Sequence, residues 1–406
     1  MCYMSGFAWI MARKSSSRKC PACGEAGVKK NGKTRKGVTR YRCTHCGASH
    51  CQTRPDITRK AQLDKFAQWI IGKLSISEVT SQSRMTWSRQ NDWCWRVEPR
   101  IPVTGEVYDE IQVDGTYLPY EWCLLTAMSR GKVLAWQWCN RENKSAYRAL
   151  FKRLPPPLMV ITDGQRGALS AIAAEWPDAR IQRCLVHIKR NIRVLTTSKP
   201  RIPAHKALLG LAKQLVKIRT LDEADQWVNL LQQFHNQWGE WLKEETHRCE
   251  VLPENIPSWV KPNQQWWYTH QNARQAYNLL ARQLREGTLF TFLDPDLNKQ
   301  TTQPLTSSTN PLEGGINAQI KAVIQLHRGL SENHMRRAVE WWCYLHSENP
   351  LQPHELTQSK HLNPQPKPEI KEPKPGPAEW DIGIDLTRTD YHPDISIRKG
   401  WADHSH

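Results

Sequence analysis

The sequence predicts an α/β chain: a mixed sheet flanked by helices, interrupted late by an all-helical insertion, and preceded by a small cysteine-rich module and a helix-turn-helix pair. Three observations predict it. Two Cys-x-x-Cys pairs, Cys20 to Cys23 and Cys43 to Cys46, stand close together near the start. From residue 107 three short apolar runs are followed by the rhythm helix, strand, helix, strand. Residues 204 to 286 then hold amphipathic runs such as Leu208 to Ile218 and Trp227 to Leu242, without strand-like alternation.

Length and charge bound the possibilities. At 406 residues the chain has room for several domains and at least one large core. A formal charge of +18 points to a polyanionic partner or a membrane surface. Residues 13 to 60 hold 14 Lys and Arg against only Glu25 and Asp56, so most of that excess sits in one short stretch. Apolar residues make up 39% and no uninterrupted run approaches the roughly 20 needed to span a bilayer, which excludes an integral membrane protein. The first twelve residues have no basic region before them and no small-residue cleavage site after them, which argues against a signal peptide. A cytoplasmic, nucleoid-associated protein is expected.

After a tail over residues 1–19, residues 20–51 read as a zinc ribbon. Each Cys-x-x-Cys pair can turn two thiolates toward one ion, and the hairpin between them brings Cys20, Cys23, Cys43 and Cys46 into one tetrahedron. Gly24 and Gly47 follow the pairs where the backbone must turn tightly. With all four positions filled by sulfur, one Zn2+ is structural, folding a segment such as Lys29 to Gly37 that is too polar to build a core. His45 and Cys51 are bystanders.

Residues 58–100 read as a helix-turn-helix DNA-binding domain. Leu63, Phe66, Ile70 and Leu74 form an apolar stripe, Ser77 to Val79 a turn, and Thr86 caps a second helix from Trp87 to Val97. A plain helical hairpin linking two domains is the competing reading. In the DNA-binding reading Arg84, Arg89 and Gln90 face the duplex, since these side chains read base edges or hold phosphates. Trp93 and Trp95 belong to the core.

Residues 104–200 and 306–348 form the two parts of the central domain, with an insertion over 201–305. Strands over Glu110 to Tyr117, Glu121 to Ala127 and Lys132 to Trp138 make an antiparallel meander, with turns at Pro119 and Gly131. A helix from Glu142 to Leu154 ends at Pro155. A strand from Leu158 to Thr162, a helix from Gln165 to Trp176 and a strand around Ala179 to Leu185 complete the order βββαβαβ. Domains of the ribonuclease-H-like class have that order. The first and fourth strands each end in Asp-Gly, Asp114-Gly115 and Asp163-Gly164. Paired carboxylates at adjacent strand ends can hold two Mg2+ ions, because hard cations take oxygen ligands and two of them clamp the attacking and leaving oxygens of phosphoryl transfer.

Asp114 in Val-Asp-Gly-Thr-Tyr, Asp163 in Ile-Thr-Asp-Gly, Cys184-Leu-Val-His187-Ile-Lys-Arg-Asn and Thr309-Asn-Pro-Leu-Glu313-Gly-Gly-Ile-Asn together resemble the mutator-type DDE transposases of bacterial insertion sequences. The resemblance covers roughly residues 105 to 347. It implies Asp114, Asp163 and Glu313 as a catalytic triad binding two Mg2+, with Mn2+ as a substitute, and Cys184 and His187 near the site in a packing and positioning role. It implies double-stranded DNA as partner, bound by a homodimer or higher oligomer, with Lys189, Arg190 and Arg328 along its path. The expected activity is cleavage of insertion-sequence ends by metal-dependent hydrolysis and joining of the 3′ ends to target DNA by transesterification. A catalytically inactive DNA-binding regulator and a non-transposing nuclease are the alternatives; retention of all three carboxylates favours an enzyme over the regulator. The six tryptophans from Trp227 to Trp267 are expected to be mainly core, one of them stacking on an unpaired base being the other reading. Residues 349–406 form a Pro/Lys-rich tail, extended and solvated over 349–377.

Overall fold

The computed structural model describes residues 18–51, 55–72, 74–309, 311–358 and 361; the side chains of residues 55–58, 311 and 313 lie outside the description. Most of both expected tails lies outside the described residues. The chain divides into two units, Met1–Pro99 with Leu351–Ile370, and Arg100–Pro350 with Lys371–His406.

In the first unit, three short strands, β1 (Val28–Lys33), β2 (Thr39–Cys43) and β3 (Ser49–Cys51), form an antiparallel sheet in that order. β1 is almost wholly solvent-facing, and within this sheet burial is confined to Cys20, Tyr41, Cys43 and His50. So little apolar area cannot offset the entropy of ordering the chain. Helix α1 (Pro55–Ile71) then buries Leu63, Phe66, Ala67 and Ile70. Leu74, expected on the same stripe, is 53% exposed because α1 stops at Ile71.

A single turn, α2 (Ile76–Val79), is closed by a capping box between Ser75 and Glu78. α3 (Arg84–Asn91) is capped by Ser83, not by Thr86 as expected: the Thr86 backbone N–H donates to Ser83 Oγ at 3.3 Å. The helix is also shorter than expected. Asn91 Nδ2 donates to the Trp87 carbonyl, and residues Asp92–Arg96 tighten into a 3-10 turn. Trp87 and Trp93 are buried; the Trp87 ring meets Trp69 edge to face, and the half-buried Trp95 meets Phe66 in the same way at 4.7 Å. The start of the expected solvated tail is tied down within this unit. Pro353 is buried, and the His354 backbone N–H donates to Asp64 Oδ1 while its Nδ1 pairs with Asp64 Oδ2, each at 2.9 Å.

The second unit follows the expected order βββαβαβ: β4 (Glu110–Leu118), β5 (Trp122–Ser129), β6 (Lys132–Cys139), α4 (Lys144–Phe151), β7 (Met159–Thr162), α5 (Arg166–Glu175) and β8 (Arg180–Arg183). The sheet runs β6-β5-β4-β7-β8, with β4, β5 and β6 antiparallel and β7 and β8 parallel to β4. Arg130 and Gly131, both at positive φ, make the two-residue β5–β6 turn, which matches the sheet twist. Inward residues of the strands, among them Ile111, Val113 and Val160, pack with α4 and α5, where Phe151 stacks on Trp176 at 4.1 Å.

α6 (Leu185–Thr196), α7 (Pro203–Leu215) and α8 (Leu221–Trp238) share a second core with Met159 and Ile161. The insertion is not all-helical. Between α8 and α9 (Gln271–Arg285) lie two antiparallel strands, β9 (Glu245–His247) and β10 (Trp266–Tyr268). Three residues each is too short for alternation to show in the sequence. Its tryptophans divide: Trp227 and Trp267 are buried, Trp238 and Trp241 half-buried, and Trp259 and Trp266 exposed. A short α10 (Pro295–Asn298), a wide π-type turn over Pro311–Asn317, α11 (Ala318–Leu326) and α12 (Glu332–Leu345) complete the unit. No described helix is long and apolar enough to cross a membrane.

Candidate metal centres

The first cluster is the one that the cysteine spacing anticipates. Cys20, Cys23, Cys43 and Cys46 bring their sulfurs together, with Cys20 Sγ 3.7 Å from Cys46 Sγ and Cys23 Sγ 3.8 Å from Cys43 Sγ. Four sulfurs about 2.3 Å from one tetrahedral ion stand about 3.8 Å apart, so the cluster has the dimensions of a Zn2+ site. Gly24 and Gly47 take φ of 75° and 71°, and backbone N–H groups of Ala22 and His45 reach the sulfurs of Cys20 and Cys43. The N–H groups of Cys46 and His45 draw the Cys43 thiol down to about 6 against the effect of desolvation.

The second cluster forms where β4 and β7 part. Their parallel pairing ends at Gln112 and Ile161; Asp114 and Asp163 each stand two residues beyond that pair. Asp163 follows its strand, as expected. Asp114 does not end one: β4 continues to Leu118, still paired to β5, so the expected strand end is only the end of pairing with β7. His187, on the first turns of α6, joins them, and the ligand-capable atoms of Asp114, Asp163 and His187 all lie within 4.8 Å of one another.

Neighbouring groups fix these donors. Asn317 Nδ2 donates to Asp114 Oδ2 at 2.9 Å, which places the Pro311–Asn317 turn beside β4. Glu313 belongs to that turn; its side chain lies outside the description. Asp163 Oδ1 accepts from the Gln165 backbone N–H at 2.9 Å. Gly164 has a φ of 84°, and the Arg183 guanidinium crosses it so closely that any Cβ there would overlap it. Arg183 donates to the Asp163 carbonyl and, at 3.0 Å, to Gln283 Oε1 in α9, linking the aspartate turn to the insertion.

Cys184 lies buried behind His187 at the head of α6. The Thr309 hydroxyl is 3.2 Å from Cys184 Sγ and 3.4 Å from His187 Nδ1, and the Thr309 amide donates to the same sulfur at 3.3 Å. Burial acts to raise the Cys184 thiol, but hydrogen bonds from His187 and Thr309 outweigh it and the net shift is downward. An outer partner on the imidazole fixes its orientation, as outer partners of metal-bound histidines do.

Residues 111–191 match the MULE transposase domain. Over 201 residues the chain is 25% identical to the transposase for insertion sequence element IS905 of Lactococcus lactis subsp. lactis strain IL1403, an alignment covering 45% of this chain and 50% of that protein. The chain thus matches about half the length of that relative. It resembles a mutator-type transposase of a bacterial insertion sequence. The matched domain runs from β4 into α6, so it holds Asp114, Asp163, Cys184 and His187. The Pro311–Asn317 turn and the four-cysteine cluster fall outside it.

The remaining site candidates are on the surface. Arg84, Arg89 and Gln90 are exposed on α3; Arg190 and Arg328 are exposed and Lys189 is half-buried. Sequence reasoning missed Arg183 and Glu142 as neighbours of the second cluster, and gave no role to Thr309 and Asn317, the two ends of the segment it singled out around Glu313. Glu142 precedes α4, and its carboxylate lies against Gly115. Burial pushes that carboxyl up and Asp163 adds to the effect, while hydrogen bonds from Tyr147 and Gln165 oppose it. Two acidic residues of α12 are committed elsewhere. Glu332 accepts from Trp122 Nε1 at 2.8 Å, and Glu340 accepts from Trp138 Nε1 at 3.0 Å and pairs with buried Arg337 at 2.9 Å.

Proposed function

We propose that the chain is a DNA transposase whose second unit is a ribonuclease-H-like catalytic domain of the DDE type, cutting insertion-sequence ends and joining them to target DNA. The observation that carries the reading is the convergence of Asp114, Asp163 and His187 at the end of the β4–β7 pairing, inside the segment that matches the MULE transposase domain.

Two carboxylates and an imidazole within reach of one another suit Mg2+ or Mn2+, the imidazole being better tolerated by Mn2+. A divalent cation bound there supplies the positive charge that stabilises phosphodiester cleavage and renders a water or a 3′ hydroxyl nucleophilic. The protein's own part is orientation. Asn317 holds the Asp114 carboxylate, the Gln165 amide and Arg183 hold the Asp163 turn, and Thr309 holds His187. Glu313 supplies the third carboxylate from the turn that Asn317 anchors. Arg190, Lys189 and Arg328 contact phosphates, and the α1–α3 region, as a helix-turn-helix, recognises the element ends through Arg84, Arg89 and Gln90. The protein acts as a homodimer or higher oligomer on DNA in the cytoplasm, with one structural Zn2+ per chain.

Short duplexes carrying the inverted repeats that flank the gene test this reading. With Mg2+ or Mn2+ the wild-type chain should nick the repeat ends and transfer them to a second duplex. Asp114→Ala, Asp163→Ala and Glu313→Ala should each abolish both steps and leave end binding nearly intact. Full strand transfer by Asp163→Ala would reject the mechanism, and full transfer by Glu313→Ala alone would reject only that assignment.

A further inference from the structure

Glu142 stands on neither strand that carries an aspartate, yet its carboxylate is built into their junction. A Cβ on Gly115, the residue after Asp114, would overlap the Glu142 Cδ and both its oxygens. Gly115 is no turn residue: it lies in mid-strand, paired with Leu125 of β5. Its lack of a side chain is what admits the carboxylate.

Two contacts keep it there. The buried Tyr147 donates its hydroxyl to Glu142 Oε2 at 2.7 Å, and Gly167 of α5 lets the Asn143 backbone approach to where a Cβ would stand 3.0 Å from it. Successive residues of a strand face opposite ways, so Asp114 points to one face of the sheet and the Gly115 position to the other. Asp163, which clusters with Asp114, also pushes the Glu142 carboxyl up, adding to the effect of its burial. Carboxylates partly withdrawn from water repel one another unless a positive charge lies between them.

We propose that Glu142 is a further carboxylate of the divalent-cation centre, serving it from the α4 side while Asp114 serves it from the opposite face. This rests on the reading of Asp114 and Asp163 as cation ligands.

Mn2+ binding to the full-length, zinc-loaded chain, followed by titration calorimetry without DNA, tests it. Glu142→Gln, which keeps shape and hydrogen bonding but removes the charge, should weaken Mn2+ binding by about tenfold or more without lowering the melting temperature of the Mn2+-free protein. Gly115→Ala should weaken it similarly by displacing the carboxylate. Tyr147→Phe, which removes only the anchoring hydroxyl, should give a smaller loss in the same direction and keeps the test open if Glu142→Gln fails to fold. Wild-type affinity in these variants, with binding lost in Asp163→Asn, overturns the role of Glu142 alone. Wild-type affinity in Asp163→Asn as well overturns the cation-site reading beneath it.

Discussion

The two metal-competent clusters are assembled in opposite ways. The four thiols lie within one short stretch, Cys20 to Cys46, on turns of a sheet whose strands bury almost nothing. Asp114, Asp163 and His187 come from β4, the β7–α5 turn and α6, and a five-stranded sheet with a core on each face brings them together. In the first cluster a bound ion would organise the fold; in the second the fold organises the site. The largest expected effect separates them. Cys20→Ser with Cys43→Ser should release one zinc per chain and unfold the cysteine-rich sheet, a loss on the order of 10 kcal/mol. Asp114→Asn with Asp163→Asn should leave melting of the second unit unchanged or raised, since it removes like charges held close together. Elemental analysis and calorimetric melting of both variants check the contrast, which fails if the wild-type chain carries no zinc.

The same difference explains what could be read from the sequence. Cys-x-x-Cys spacing is a local signal, and so is the order of strands and helices that sets the sheet. Asp114 and Asp163 were legible because each sits at a strand with a glycine beside it, although the reason for the glycines was not. Gly115 makes room for Glu142 and Gly164 for Arg183, partners 27 and 19 residues away along the chain. Asn317 and Thr309 reach the site over still longer separations, with no periodicity to mark them. β9 and β10 escaped notice because three residues give no pattern.

A buried polar site without metal chemistry sharpens the contrast. Glu340 and Arg337 pair at 5% and 6% side-chain exposure, and Glu340 also takes the Trp138 N–H. No ion is needed, because the opposite charge comes from the protein. Removing one partner of such a pair costs about 3 to 5 kcal/mol. Glu340→Ala should therefore destabilise the second unit by about that much in urea melts while leaving Mn2+ affinity of the remaining folded protein unchanged. An affinity loss at full occupancy of the folded state would place Glu340 in the cation centre after all.

Gly164→Ala probes the built site with a single methyl. The left-handed backbone alone costs about 1 to 3 kcal/mol for a side chain. The overlap with Arg183 also forces its guanidinium off the Asp163 carbonyl. Stability should fall by about 2 kcal/mol or more, and strand cleavage should fall further than that loss explains, because the Asp163 turn shifts. Cleavage by the folded fraction equal to wild type would show that Arg183 supports only the fold.

The smallest expected effect lies back in the first unit, at the cap of α3. Ser83 Oγ accepts the Thr86 N–H at 3.3 Å, and an eight-residue helix has few other bonds to hold its first turn. Ser83→Ala should cost about 1 kcal/mol. Arg84 sits in that first turn, whereas Arg89 lies a turn and a half further on, nearer the packed Trp87 and Asn91. Fraying should thus loosen Arg84 more than Arg89. If α3 is the recognition helix, Ser83→Ala should weaken binding to element-end duplexes several-fold, and adding Arg84→Ala should weaken it little more, whereas adding Arg89→Ala should cost its full separate amount. Zinc content and Mn2+ affinity should stay at wild-type levels. Additive losses for both arginines would mean that the cap does not position Arg84, and unaltered end binding in all three variants would move recognition away from α3.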